Sequence, residues 1–124
     1  MTPRSLVLTL SIAMTLVACK GGSAAKLEGR WRGIKATGVP ASQLSDANLF
    51  ASTMELEFKG ELVSVHTGSD KQSAKFHVVK DEKTVVTIAT DQDGPDDPQT
   101  FTFSDDHTMS WALGGGKGIQ FQKE

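Results

Sequence analysis

From residue 54 onward, apolar and polar residues alternate one for one, and a turn signal cuts the alternation every few residues. Met54, Leu56 and Phe58 alternate with Glu55 and Glu57 before Lys59-Gly60, and Val63 and Val65 alternate with Ser64 and His66 before Gly68-Ser69-Asp70. Ala74, Phe76 and Val78 follow, opposite Lys75 and His77, until Asp81-Glu82-Lys83. Val86 and Ile88 continue the apolar series, with the phase left open by Val85-Val86. Phe101 and Phe103, then Met109, Trp111 and Leu113, and finally Ile119 and Phe121 complete it. Successive side chains of a strand point to opposite faces, so this period of two predicts half-buried strands joined by hairpins.

An earlier stretch has the same period. Leu27, Gly29, Trp31 and Gly33 share one phase, while Glu28, Arg30 and Arg32 share the other. Between the two regions, residues 38–53 break the pattern. Pro40, Leu44, Ala47 and Phe50 suit one or two turns of helix there, with Ser42 or Ser45 as its cap. That makes eight strands and no helix long enough for a crossover between parallel strands. An antiparallel meander removes its exposed edges by closing on itself. The predicted fold is therefore all-β: a small up-and-down meander barrel with a short helix in its first long loop. Its predicted interior also includes Trp31, and this bulky set leaves no room for a lipid-sized cavity, only for a small pocket near the mouth.

The first residues have a different character. Arg4 and the amino terminus make a short basic region, and residues 6–18 are uncharged and mostly apolar. About 20 apolar residues are needed to cross a bilayer, so this run is the length of a secretory signal and not of a membrane span. It ends in Leu16-Val17-Ala18-Cys19, which resembles the lipobox of bacterial lipoproteins, and Cys19 is the only cysteine in the chain. The resemblance implies a signal peptide over 1–18, cleavage before Cys19, and a diacylglyceryl group and fatty acid such as palmitate on that residue. Lys20 after the cysteine resembles the outer-membrane-sorted kind of Gram-negative cells, which implies a place in the cell envelope facing the periplasm; in a Gram-positive cell the same anchor implies the outer face of the only membrane. Residues 19–25 then form the lipidated cysteine and a Gly/Ser tether, and 26–124 the barrel domain. Without a second cysteine there is no disulfide and no thiolate metal site, so the core alone holds the fold.

Leu27-Glu28-Gly29-Arg30-Trp31 at the head of a β-meander, followed by a long first loop, resembles the Gly-x-Trp opening of lipocalin-like domains. The resemblance implies that Gly29 and Trp31 plug the closed end and that the 38–53 loop overhangs the open one. Lipocalins place an arginine over this tryptophan late in the chain. Here no arginine follows Arg32, and Lys117 or Lys123 is left to take its place, without the planar group that stacks on an aromatic face.

Signals of chemistry are sparse. His66 and His77 fall on the outward phase of strands expected to pair, so they are candidates to meet across a hairpin, but zinc needs three or four converging ligands. Asp91-Gln92-Asp93-Gly94 resembles the start of a calcium loop, yet Pro95 follows and no closing glutamate is present, so residues 91–98 read as a charged hairpin loop. Glu55 and Glu57 form a carboxylate pair on a solvent face. No catalytic motif, metal site or cofactor is expected. The chain has 13 basic and 15 acidic side chains, which offers no basic patch for nucleic acid. Two functions fit a non-catalytic, membrane-anchored barrel. One is binding of a small apolar molecule at the mouth beneath Leu44, Leu49 and Phe50. The other is interaction with, or inhibition of, an envelope protein by a filled barrel.

Overall fold

The computed structural model describes residues 23–124. The signal peptide expected over residues 1–18 and Cys19, the expected lipidation site, lie outside the described residues. A 3-10 turn, Ala24–Leu27, leads into β1 (Gly29–Thr37), helix α1 (Ala41–Ser52), β2 (Met54–Lys59), β3 (Leu62–Thr67), β4 (Asp70–Asp81), β5 (Val85–Thr90), β6 (Gly94–Asp105), β7 (Thr108–Gly114) and β8 (Lys117–Lys123). Each strand pairs antiparallel with the next, and β8 returns to pair with β1, so the sheet is a closed eight-stranded up-and-down barrel.

The alternation becomes the interior directly. Trp31, Leu56, Phe58, Val86, Ile88, Phe101, Phe103, Met109, Ile119 and Phe121 all lie in one buried cluster. Phe58 meets Phe76 and Phe101 edge-on with centroids 5.5 and 5.6 Å apart, a favoured geometry for aromatic quadrupoles. Burying an aromatic or large aliphatic side chain contributes about 1.5–3 kcal/mol each, which offsets the chain entropy of a fold with no cross-link.

Three details differ from the sequence pattern. Leu27 is buried, but in the 3-10 turn and not in β1, because Gly29 takes φ 125° and redirects the chain before the strand begins. Val78 and Leu113 are 38 and 49% exposed: Leu113 is the extra residue of the Ala112/Gly114 shift against β8, whereas Val78 stands opposite the buried Ile88 and is uncovered because β4 runs past the start of β3. The acidic loop expected over 91–98 is shorter: the turn spans residues 91–93, and Gly94 already belongs to β6.

The strands are unequal, so the sheet closes with stagger. β4 pairs with β3 through Asp70–Lys75 and with β5 through Phe76–Asp81. β1 similarly runs past its last partner on β2, and α1 covers that overhang. The Asn48 side chain accepts the N–H of Ala36 at 2.8 Å, and Ala51 is fully buried against the strand. Gly33 makes this approach feasible, because a Cβ there would run into the Ala51 carbonyl. The helix is longer than the one or two turns expected, at 12 residues.

Two substitutions test this arrangement by urea denaturation. Trp31→Ala is expected to cost about 3–5 kcal/mol, and a near-neutral result would contradict the register. Gly33→Ala is expected to cost about 1–3 kcal/mol by displacing α1, with the far-UV helix signal reduced.

Candidate ligand-binding site

The two ends of the barrel differ. At one end Trp31 is fully buried, its indole N–H donates to the Leu27 carbonyl at 2.8 Å, and Phe103 packs on it edge-on at 5.9 Å. Lys123 lies over the indole, with Nζ 5.4 Å from the ring centroid, and donates to the Lys26 carbonyl at 3.3 Å. It therefore occupies the place the resemblance gives to an arginine, while Lys117 sits beyond the β7–β8 turn at the opposite end. The 3-10 turn is tied to the surrounding hairpins. Ser23 N–H donates to Asp81 at 2.6 Å and its hydroxyl donates to the Lys83 carbonyl, Lys26 pairs with Asp106 at 2.9 Å, and Glu28 accepts the Gly60 N–H at 3.3 Å. The hydrogen bond and charge of Lys26 hold the Asp106 carboxyl below its ordinary pKa. This end is sealed.

At the other end an interior cavity of about 200 Å³ opens between the β3–β4 hairpin and the β5–β6 turn. Leu56, Val65, Ile88, Phe101 and Trp111 form apolar walls, and Gln72, Thr90 and Gln99 add polar groups. Gln99 is oriented from both sides: Oε1 accepts the Trp111 indole N–H at 2.9 Å, and Nε2 donates to the Asp97 carbonyl at 3.2 Å. Thr90 is 8% exposed, and its Oγ1 accepts the Asp93 N–H at 3.0 Å, which leaves its own O–H as a donor. The volume is below the 300–1,000 Å³ or so usual for ligand sites, and close to that of a cavity of roughly 150 Å³ that holds one benzene ring.

The sequence candidates fall elsewhere. Leu44, Leu49 and Phe50 lie on α1, which is drawn onto β1 by Asn48 and Ala51, and none of them lines this cavity. Leu49 and Phe50 are 69 and 54% exposed. His66 and His77 do not meet: His66 pairs with Glu55 and Lys71, while His77 lies beyond the start of β3 and pairs with Ala89. The His66 Nε2 is buried without a hydrogen-bond partner among the described residues. Glu55 and Glu57 sit opposite Arg32 and Arg30 on β1, a cross-strand ladder of opposite charges on the outer face. The hydrogen bond from Glu124, with Arg30 adding its charge, lowers the Glu55 pKa, and Glu55 in turn raises that of Glu124. Among the described residues no group of three or more His, Cys, Asp or Glu is placed to hold a metal ion.

Thr90, Gln99 and Gln72 are the site residues that the pattern carries unread. Each lies in phase with the core positions of its strand: Thr90 with Val86 and Ile88, Gln99 with Phe101 and Phe103, Gln72 with Ala74 and Phe76. A polar residue in the apolar phase is the available signal. Comparison of the chain with protein-family models, with curated proteins and with solved structures returns no match.

Lys123→Ala should cost about 1–2 kcal/mol, the sum of a cation–π contact and one hydrogen bond, and Lys123→Arg should restore it. Asp106 contributes its pairing fully above the ordinary carboxylate pKa and loses it as pH falls through the lowered folded value. An NMR titration should therefore show the Asp106 midpoint rising in Lys26→Met.

Proposed function

We propose that the chain is a lipid-anchored bacterial envelope protein whose barrel works by binding, without catalysis, a small, single-ring, uncharged molecule at its mouth. The observation that carries this reading is the interior cavity of about 200 Å³, apolar on most sides, with the Thr90 hydroxyl and the fixed Gln99 amide at its wall. A few placed polar groups in an apolar pocket give orientation and selectivity. A hydrogen-bond acceptor on the ring would take the Thr90 proton.

The tether supports an orientation. Ser23 is bonded to Asp81 and Lys83 at the sealed end, and Cys19 precedes it by four residues. Four extended residues reach at most roughly 14 Å. With a lipidated Cys19, the sealed end faces the membrane, the outer one by the resemblance at Lys20, and the mouth faces the periplasm.

A second reading, an interaction or inhibitor module, is favoured by Leu49 and Phe50, an apolar pair that α1 directs away from the barrel.

Native mass spectrometry of residues 20–124 tests the binding reading. The expected result is a bound mass that leaves on denaturation, or is gained from a panel of single-ring compounds, and is lost in Ala74→Phe, which fills the cavity. A protein that stays bare throughout contradicts it. The anchor is tested separately: Cys19→Ser should move the full-length protein from the membrane to the soluble fraction, and unchanged fractionation contradicts lipidation.

A further inference from the structure

Stagger in a closed barrel leaves strand overhangs, each with one backbone edge unpaired by the neighbouring strand. An unpaired edge invites addition of another strand, and proteins ordinarily cover it or block it. This barrel does so at two overhangs. On β1, α1 covers residues 33–37 and the Asn48 side chain takes the Ala36 N–H. On β6, residues 94–99 precede the first pair with β7, Thr100↔Ala112, and this stretch carries Pro95 and Pro98, which have no N–H to donate, together with Asp96 and Asp97.

The overhang of β4 is treated differently. Its pairing with β3 ends at Leu62↔Lys75, and Phe76 N–H makes a last bond to the Glu61 carbonyl at 2.8 Å. Lys75 turns the other way, its carbonyl accepting the Asp91 N–H at 3.0 Å. By the alternation of an antiparallel strand, the N–H and C=O of Val78 then point to the side that β3 has vacated. No proline stands in residues 76–81, and Val78 and Val79 are 38 and 57% exposed.

Beside this edge lies a cleft of about 860 Å³, bounded on the other side by the 3-10 turn and the β2–β3 hairpin. Half-buried Phe76 and exposed Val78 give it apolar surface over a floor of buried Leu27 and Phe58, and Glu28, Glu61 and Asp91 stand among its lining residues against a single lysine, Lys75. An open edge with an adjoining apolar cleft is the arrangement for β-strand addition, in which backbone bonds supply affinity and the cleft takes alternate side chains. The acidic excess selects the charge of the partner.

We propose that the β4 overhang is a docking site for an extended segment of a partner protein in which apolar residues alternate with Lys or Arg. The segment pairs with the backbone at Val78, sets its apolar side chains against Phe76 and Val78, and places its cations by Glu28, Glu61 and Asp91. Thr90 lines both this cleft and the mouth cavity, so the two sites adjoin.

The test uses fluorescence anisotropy with residues 20–124 and a labelled, capped peptide of alternating Val and Lys. The same peptide with Glu in place of Lys, and an N-methylated version that cannot pair along one edge, serve as controls. Saturable binding of the Val/Lys peptide is expected. Val78→Pro removes one edge donor and no β5 ladder bond, and should weaken binding about tenfold, the worth of one backbone hydrogen bond. Glu61→Lys should weaken it severalfold, and N-methylation should abolish it even if Val78→Pro fails to fold. No binding, equal binding of the Val/Glu peptide, or indifference to N-methylation overturns the proposal. Self-association of the chain that Val78→Pro abolishes would also overturn it, assigning the edge to a second copy.

Discussion

Pairing of the first strand with the last is the constraint on which the rest of this structure depends. β1 and β8 join from Trp31↔Lys123 to Thr37↔Gly118, and only this ladder turns a meander into a barrel. The same pairing brings the Lys123 side chain over the indole of Trp31 and its ammonium to the Lys26 carbonyl. The barrel therefore closes laterally and at one end by a shared set of contacts. A domain without disulfides gains from this economy, because its eighth strand completes the environment of a tryptophan on its first.

Closure also assigns different work to the two ends. The sealed end spends its polar groups on itself: Ser23, Lys26 and Glu28 are bonded to three hairpins and the last strand contributes Lys123. The open end retains polar groups that are oriented but not exhausted, Thr90 and Gln99 among them. Such groups, held by the fold before anything binds, lower the entropic cost of binding. The stagger that closure requires adds a third feature, strand overhangs, and their unequal treatment distinguishes the flank of β4 from the rest of the wall.

Much of this was legible in the chain. A period of two with Gly and Asp at the breaks gave the strand number and the antiparallel order, since nothing between the strands is long enough for a crossover. Trp31 and the phenylalanines in phase with it gave the core. What periodicity does not carry is register. The shift at Ala112/Gly114 turns Leu113 outward, and the offset between β3 and β4 uncovers Val78 and separates His66 from His77. The placement of α1 depends on a long-range fit between Gly33 and Ala51, which no local pattern states, and it leaves Leu44, Leu49 and Phe50 out of the lining of the cavity. The polar cavity residues were visible only as exceptions in an apolar phase.

Amide hydrogen exchange across the β1–β8 seam tests closure most directly. Amides that exchange only through global unfolding are the most protected in a protein. A closed barrel predicts that Arg32, Phe121 and their neighbours on both strands exchange as slowly as Leu56 and Val65 in the middle of the sheet, while α1 exchanges sooner. Rapid exchange confined to β1 and β8 would contradict closure: the sheet would then be open, Trp31 would lose its cover, and neither end of the barrel would exist as described.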